Sequence, residues 1–144
     1  MIVLDTTVLV YALGSDHPLR DPCRRLLASA RDGAIQASTT VEVIQEFVHV
    51  RARRRNRPDA VEIAGAYIAL LSPLLVADEE RLLRALRLFR ENDAIGAFDA
   101  VLAAAAVEAG AEALVSADRG FSRVAGLSHV VPDSDGVASL LGDA

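Results

Sequence analysis

The chain has 144 residues, 52% of them hydrophobic, with a net charge of −5 and a mean hydropathy of +0.30. These values fit a single folded domain, taken as residues 1–144, with ample apolar material for a core. The one cysteine, Cys23, excludes an intrachain disulfide or a thiolate zinc site, and no apolar run is long enough to span a bilayer. A cytoplasmic protein with no membrane partner is the expectation.

Met1-Ile2-Val3-Leu4-Asp5 reads as a buried strand ending in an acid, with a short helix after it. Asp21 as N-cap and Pro22 at the first position predict a helix to Arg31, closed by Gly33. A second strand covers Ile35 to Ser38, and a long helix runs from about Thr40 to Arg54. Pro58 opens another helix reaching about Leu71. Leu74-Leu75-Val76 is a short strand, and Asp78 caps a helix over 79–91. A small-residue helix from about Ala97 to Ala109 ends at Gly110. Strands at Leu114–Ser116 and His129–Val131 complete the pattern. Strands alternating with helices imply an α/β fold with a parallel sheet of about five strands between helical layers.

Four acids stand where strands end or helices begin: Asp5, Glu46, Asp99 and Asp118. In an open parallel sheet such positions gather at the carboxyl edge, where ligands bind. Clustered carboxylates repel one another unless a cation neutralises them, and Mg²⁺ suits a few oxygen ligands with retained waters. Asp5 can cap the following helix, but a carboxylate ending a buried strand also suits a metal. Glu42 and Glu46 share one helix stripe with His49 and Arg53, at about 100° per residue. The spacing from Thr39 to Glu42 matches a capping box, giving Glu42 a structural role and leaving Glu46 for chemistry. Asp99 is the lone charge opening an apolar helix, and Asp93 is a weaker candidate. Asp118 follows a strand whose Ser116 can orient a neighbouring carboxylate. Glu46-Phe47-Val48-His49 has di-iron spacing, but that site needs two copies and the chain has one.

All 15 basic residues are arginine, and five of them, Arg51, Arg53, Arg54, Arg55 and Arg57, crowd one segment. Guanidinium forks suit phosphate or an acidic partner, although arginine is also favoured at a helix C-terminus. An aspartate after the first strand also occurs in haloacid-dehalogenase phosphatases and response-regulator receivers. Thr7 occupies the position of the second aspartate of the former, and the lysine both classes use is missing.

The chain resembles a PIN-domain ribonuclease, and in particular the toxin half of a VapBC toxin–antitoxin pair. The resemblance rests on Val3-Leu4-Asp5-Thr6-Thr7, on Ser38-Thr39-Thr40 followed by Val43-Ile44-Gln45-Glu46-Phe47, on Phe98-Asp99-Ala100-Val101-Leu102-Ala103-Ala104, and on Leu114-Val115-Ser116-Ala117-Asp118-Arg119-Gly120-Phe121. It implies a three-layer α/β/α fold and a Mg²⁺- or Mn²⁺-dependent endoribonuclease. By the same resemblance Asp5, Glu46, Asp99 and Asp118 form an acidic quartet, with Thr6 and Ser116 as the hydroxyls lining it and Glu42 as the alternative glutamate. RNA is the implied substrate, a VapB-type antitoxin the implied partner, and a homodimer the implied assembly. A non-catalytic PIN-like module that binds RNA or protein, and an RNA-processing nuclease that is not a toxin, are the alternatives.

Overall fold

Strand β1 (Ile2–Leu4) is fully buried at all three positions, as a strand covered on both faces requires. It pairs in parallel with β2 (Ala37–Ser38) on one side and β3 (Ala113–Val115) on the other. Strand β4 (His129–Val130) extends the sheet in parallel beyond β3, giving the order β2-β1-β3-β4. The computed structural model describes residues 1–143, and among these the sheet has four strands.

The expected strand at Leu74–Val76 is reduced to one parallel bridge between Thr40 and Leu75. Leu75 N–H donates to the Thr39 carbonyl, and Val41 N–H donates to the Leu75 carbonyl. The chain enters a helix at Val41, so no further pairing can accumulate.

Helix α1 (Thr6–Leu13) begins directly after Asp5, and α2 (Arg20–Arg31) packs against it. Asp21 is not the cap of α2: it lies in the first turn, and His17 organises the start instead. The His17 carbonyl accepts from Arg20 N–H, and its Nδ1 accepts from Leu19 N–H at 3.1 Å. Helices α3 (Val41–Arg54) and α4 (Arg57–Leu71) pack together, as do α5 (Glu79–Glu91) and α6 (Ala97–Glu108). Thr40, Asn56 and Asp78 cap α3, α4 and α5 through their side chains. A 3-10 helix (Arg119–Arg123) follows β3. Helix α7 (Ser134–Leu141), capped by Asp133 and packed on α2, was not anticipated from the sequence.

The core joins β1 and β3 to Val8, Leu9, Leu26, Phe47, Leu71 and Phe121 and to the alanine-rich face of α6. From β1 the chain crosses to β2 on one side, and from β3 it continues to β4 on the other. The carboxyl ends of β1 and β3 therefore flank a switch point, where open α/β sheets bind ligands. Among the described residues, no helix is long and apolar enough to cross a membrane.

Candidate active site

Asp5 leaves β1 and is only 6% exposed. A carboxylate that deep needs hydrogen-bond donors. Its Oδ2 accepts from Ser116 Oγ at 2.6 Å and from Thr7 Oγ1 at 2.8 Å, with Thr7 N–H at 3.5 Å. Capping of α1 and site formation thus coexist on one oxygen. Among the described residues no hydrogen bond falls on Oδ1, which leaves it for a ligand.

Ser116 is fully buried at the end of β3 and accepts Asp118 N–H at 3.0 Å while donating to Asp5. Thr7 Oγ1 accepts Ala117 N–H at 3.0 Å while also donating to Asp5. These two hydroxyls stitch the ends of β1 and β3 together. Thr7 is the functional residue that sequence reasoning missed. Its signal was a second hydroxyl two residues after a strand-end acid, where a side chain can reach back to that carboxylate.

Glu46 projects from the exposed side of α3, and its Oε2 accepts from Thr6 Oγ1 at 2.6 Å. Asp99 sits in the first turn of α6, and its Oδ2 accepts Gly96 N–H at 3.3 Å, a helix-start role. Burial pushes the Asp99 carboxyl above its ordinary range. The Gly96 N–H opposes that shift, while the negative charges of Asp5, Asp118 and Glu46 add to it. Asp118 is exposed, and its Oδ1 accepts Gly120 N–H at 2.8 Å at the entry to the 3-10 helix.

Asp5, Glu46, Asp99 and Asp118 line one cleft of about 390 Å³, with Thr6, Thr7, Tyr11 and Arg54 among its walls. Each carboxylate is anchored through one oxygen by a donor of its own chain. The cleft offers carboxylate and hydroxyl oxygens without histidine or cysteine, a donor set for a hard cation such as Mg²⁺ or Mn²⁺. Among the described residues no three acidic, histidine or cysteine side chains converge closely enough to hold an ion by themselves. The fit is therefore that of a cation keeping several waters, as Mg²⁺ does.

Glu42 departs from its expected role. The cap of α3 is Thr40, whose Oγ1 accepts Val43 N–H at 3.2 Å, while Thr39 Oγ1 donates to the Leu4 carbonyl at 2.6 Å. The helix starts one residue later than a capping box on Thr39 requires, so Glu42 caps nothing. Its Oε2 is buried without a hydrogen-bond partner among the described residues. Glu42 lines a second cleft, of about 350 Å³, that shares Asp5, Glu46 and Asp99 with the first.

The arginine cluster divides. Arg51 forms a bidentate pair with Asp59, with Nη2 to Oδ1 at 3.0 Å, and ties α3 to α4. That guanidinium holds the Asp59 carboxyl below its usual range. Arg54 borders both the acidic cleft and an adjoining cleft of about 410 Å³, which Arg51, Arg55, Gly14 and Ser15 also line. Arg53 and Arg57 are exposed and line neither cleft. Asp93 is exposed and lines neither of them, nor the cleft of Glu42.

The PIN domain model matches residues 2–127. Ribonuclease VapC7 of Mycobacterium tuberculosis is 54% identical over 147 residues, covering 99% of both chains. Ribonuclease VapC13 of the same organism is 27% identical over 130 residues, covering 90% of this chain and 99% of its own. In fold, the chain is similar to the crystal structure of FitAcB from Neisseria gonorrhoeae, with a TM-score of 0.71 and 18% identity. That match covers 92% of this chain and 98% of the other. The crystal structure of VapBC2 from Rickettsia felis bound to a promoter DNA fragment gives a TM-score of 0.70 at 18% identity, covering 91% and 98%. With the full-length match to a named ribonuclease and the model match across the sheet and the acidic cleft, the chain belongs to the PIN domain family.

Proposed function

We propose that this protein is an endoribonuclease that hydrolyses RNA phosphodiester bonds at the cleft of Asp5, Glu46, Asp99 and Asp118, with Mg²⁺ or Mn²⁺ as cofactor. The observation that carries this reading is the arrangement of four carboxylates in one cleft, each anchored through one oxygen by the chain's own donors. The 54% identity to a protein named a VapC ribonuclease supports the activity and, with it, a role as the toxin partnered by a VapB-type antitoxin.

When bound, a divalent ion supplies Lewis acidity and lowers the pKa of a coordinated water. Asp5 and Asp99 are the residues that would hold it directly. Asp5 is pre-oriented by Ser116 and Thr7, so its free oxygen costs little to position. Glu46, held by Thr6 through Oε2, presents Oε1 to accept a proton from an attacking water. Asp118, exposed at the cleft, would hold water at its open side. Arg54, at the boundary of the acidic and basic clefts, binds a backbone phosphate and fixes the register of the strand without reading sequence. Helix α5 presents Leu82, Leu83, Leu86 and Phe89 at 44–51% exposure, which supports the expected homodimer.

Incubation of purified protein with total RNA and Mn²⁺, beside an EDTA control, tests the activity. Metal-dependent fragments are expected, and intact RNA in both samples would overturn the reading.

A further inference from the structure

The cleft beside the acidic quartet holds a feature that phosphodiester hydrolysis does not use. Glu42 lines this cleft, and its Oε2 is buried with no partner among the described residues. A carboxylate is acceptor-only, so a buried unpaired oxygen is a standing cost that turning the Glu42 carboxylate toward an N–H or O–H donor in the cleft would relieve. Around it stand Gln45 and His49 from α3, with Phe98 and Leu102 from α6. Phe98 is 84% exposed, a large aromatic face at the cleft with almost no cover. Through Asp5, Glu46 and Asp99 this cleft is continuous with the quartet, so an occupant would lie next to the reacting phosphate.

We propose that this cleft is a base pocket selecting guanine beside the scissile bond, with Glu42 as the specificity-determining acceptor and Phe98 as the stacking platform. The proposal rests on the ribonuclease reading and names a feature of its substrate. Single-stranded RNA is read by splaying bases onto aromatic side chains and hydrogen-bonding their Watson–Crick edges. Guanine carries two adjacent N–H donors on that edge, N1–H and N2–H, which match the two oxygens of one carboxylate. Adenine, cytosine and uracil each offer one. The apolar walls given by Phe98 and Leu102 favour a flat, neutral ring over a hydrated cation. Gln45, with both a donor and an acceptor, is placed to meet the remaining edge of the base.

Two measurements on the full chain decide it. The first is binding of guanosine, adenosine, cytidine and uridine in EDTA, followed by chemical shifts of the Phe98 ring. Guanosine is expected to bind about tenfold tighter than the others, and Glu42→Gln to remove that preference. Equal binding of all four, or binding of N-acetylarginine amide without a guanine preference, would overturn the pocket. The second is cleavage of single-stranded oligonucleotides differing only in the base beside the cut. Glu42→Gln should lower the guanine-to-other ratio of kcat/KM about tenfold, while Phe98→Ala lowers kcat/KM for all bases alike. An unchanged ratio in folded Glu42→Gln protein would sink the assignment. A guanosine preference without any RNA cleavage would sustain the pocket and defeat the ribonuclease reading. Cleavage without base preference would do the reverse.

Discussion

The Ser116 hydroxyl donates to Asp5 Oδ2 at 2.6 Å, joining residues 111 positions apart across the ends of β1 and β3. Ser116 Oγ in turn accepts Asp118 N–H at 3.0 Å, so one buried hydroxyl sets the position of two of the four acids. Ser116→Ala should therefore reduce stability as well as activity. Leaving a buried carboxylate short of a donor and a backbone N–H short of an acceptor costs about 1–3 kcal/mol. Urea denaturation checks that loss, and cleavage assays should show activity falling about 10–100-fold, as for removal of a ligand-orienting group.

Asp99 is expected to trade stability for function. Burial first, then the charges of Asp5, Asp118 and Glu46, raise its carboxyl pKa in the folded protein. A raised folded-state pKa means that the native chain holds this proton more tightly than the unfolded chain. Its contribution is fully present below the unfolded pKa and is lost as pH rises through the folded one. Above that folded-state pKa the charge of Asp99 is a liability to the metal-free protein. Asp99→Asn, which keeps an acceptor for Gly96 N–H, should raise the Tm of metal-free protein at pH 7 and leave it nearly unchanged at pH 3. The same variant should lose Mn²⁺ affinity. A lower Tm at pH 7 would contradict the electrostatic account.

Arg51 and Arg54 should separate cleanly. Arg51→Ala breaks the pair with Asp59 and should lower thermal stability, with RNA affinity little changed in protein that remains folded. Arg54→Ala should leave stability intact and weaken RNA binding. Its slope of log affinity against log salt should fall by about 0.7, the value for one phosphate contact on a single strand. Fluorescence anisotropy across a salt series measures both variants.

Gly120 is a tight spot behind Asp118. A Cβ there would lie 2.3 Å from the Ala94 carbonyl oxygen and 3.1 Å from Asp118 Oδ1. Gly120→Ala must displace backbone and should cost about 1–3 kcal/mol. It should also move Asp118 out of register, so activity falls further than the stability loss explains. Comparing residual activity at a temperature where the variant is fully folded tests that.

Much of this site was legible because strand ends and helix starts leave local marks. Asp5 interrupts an apolar run, Asp99 is the lone charge on an alanine-rich helix, and Ser116 and Asp118 follow a strand directly. Glu46 was preferred over Glu42 because the spacing from Thr39 gave Glu42 a capping role. That capping role does not hold, because Thr40 rather than Thr39 caps α3 and Glu42 Oε2 has no partner among the described residues. A one-residue shift of a helix start cannot be read from two adjacent threonines. The partner of Arg51 was invisible for another reason: Asp59 reaches it only once α4 folds back on α3. Leu74–Val76 has strand composition, but pairing ends after Leu75 because its neighbour turns into a helix at Val41. Local composition cannot show where a neighbouring segment turns away.

The most direct test of the acidic cleft pairs metal binding with cleavage in one titration. Wild-type and Asp5→Asn protein are titrated with Mn²⁺, following bound ion by electron paramagnetic resonance and cleavage of a defined RNA in the same samples. The account predicts that wild-type cleavage rises with bound Mn²⁺, and that Asp5→Asn folds normally yet loses both signals. Cleavage by Asp5→Asn at the wild-type rate, or wild-type cleavage undiminished in EDTA, would contradict it.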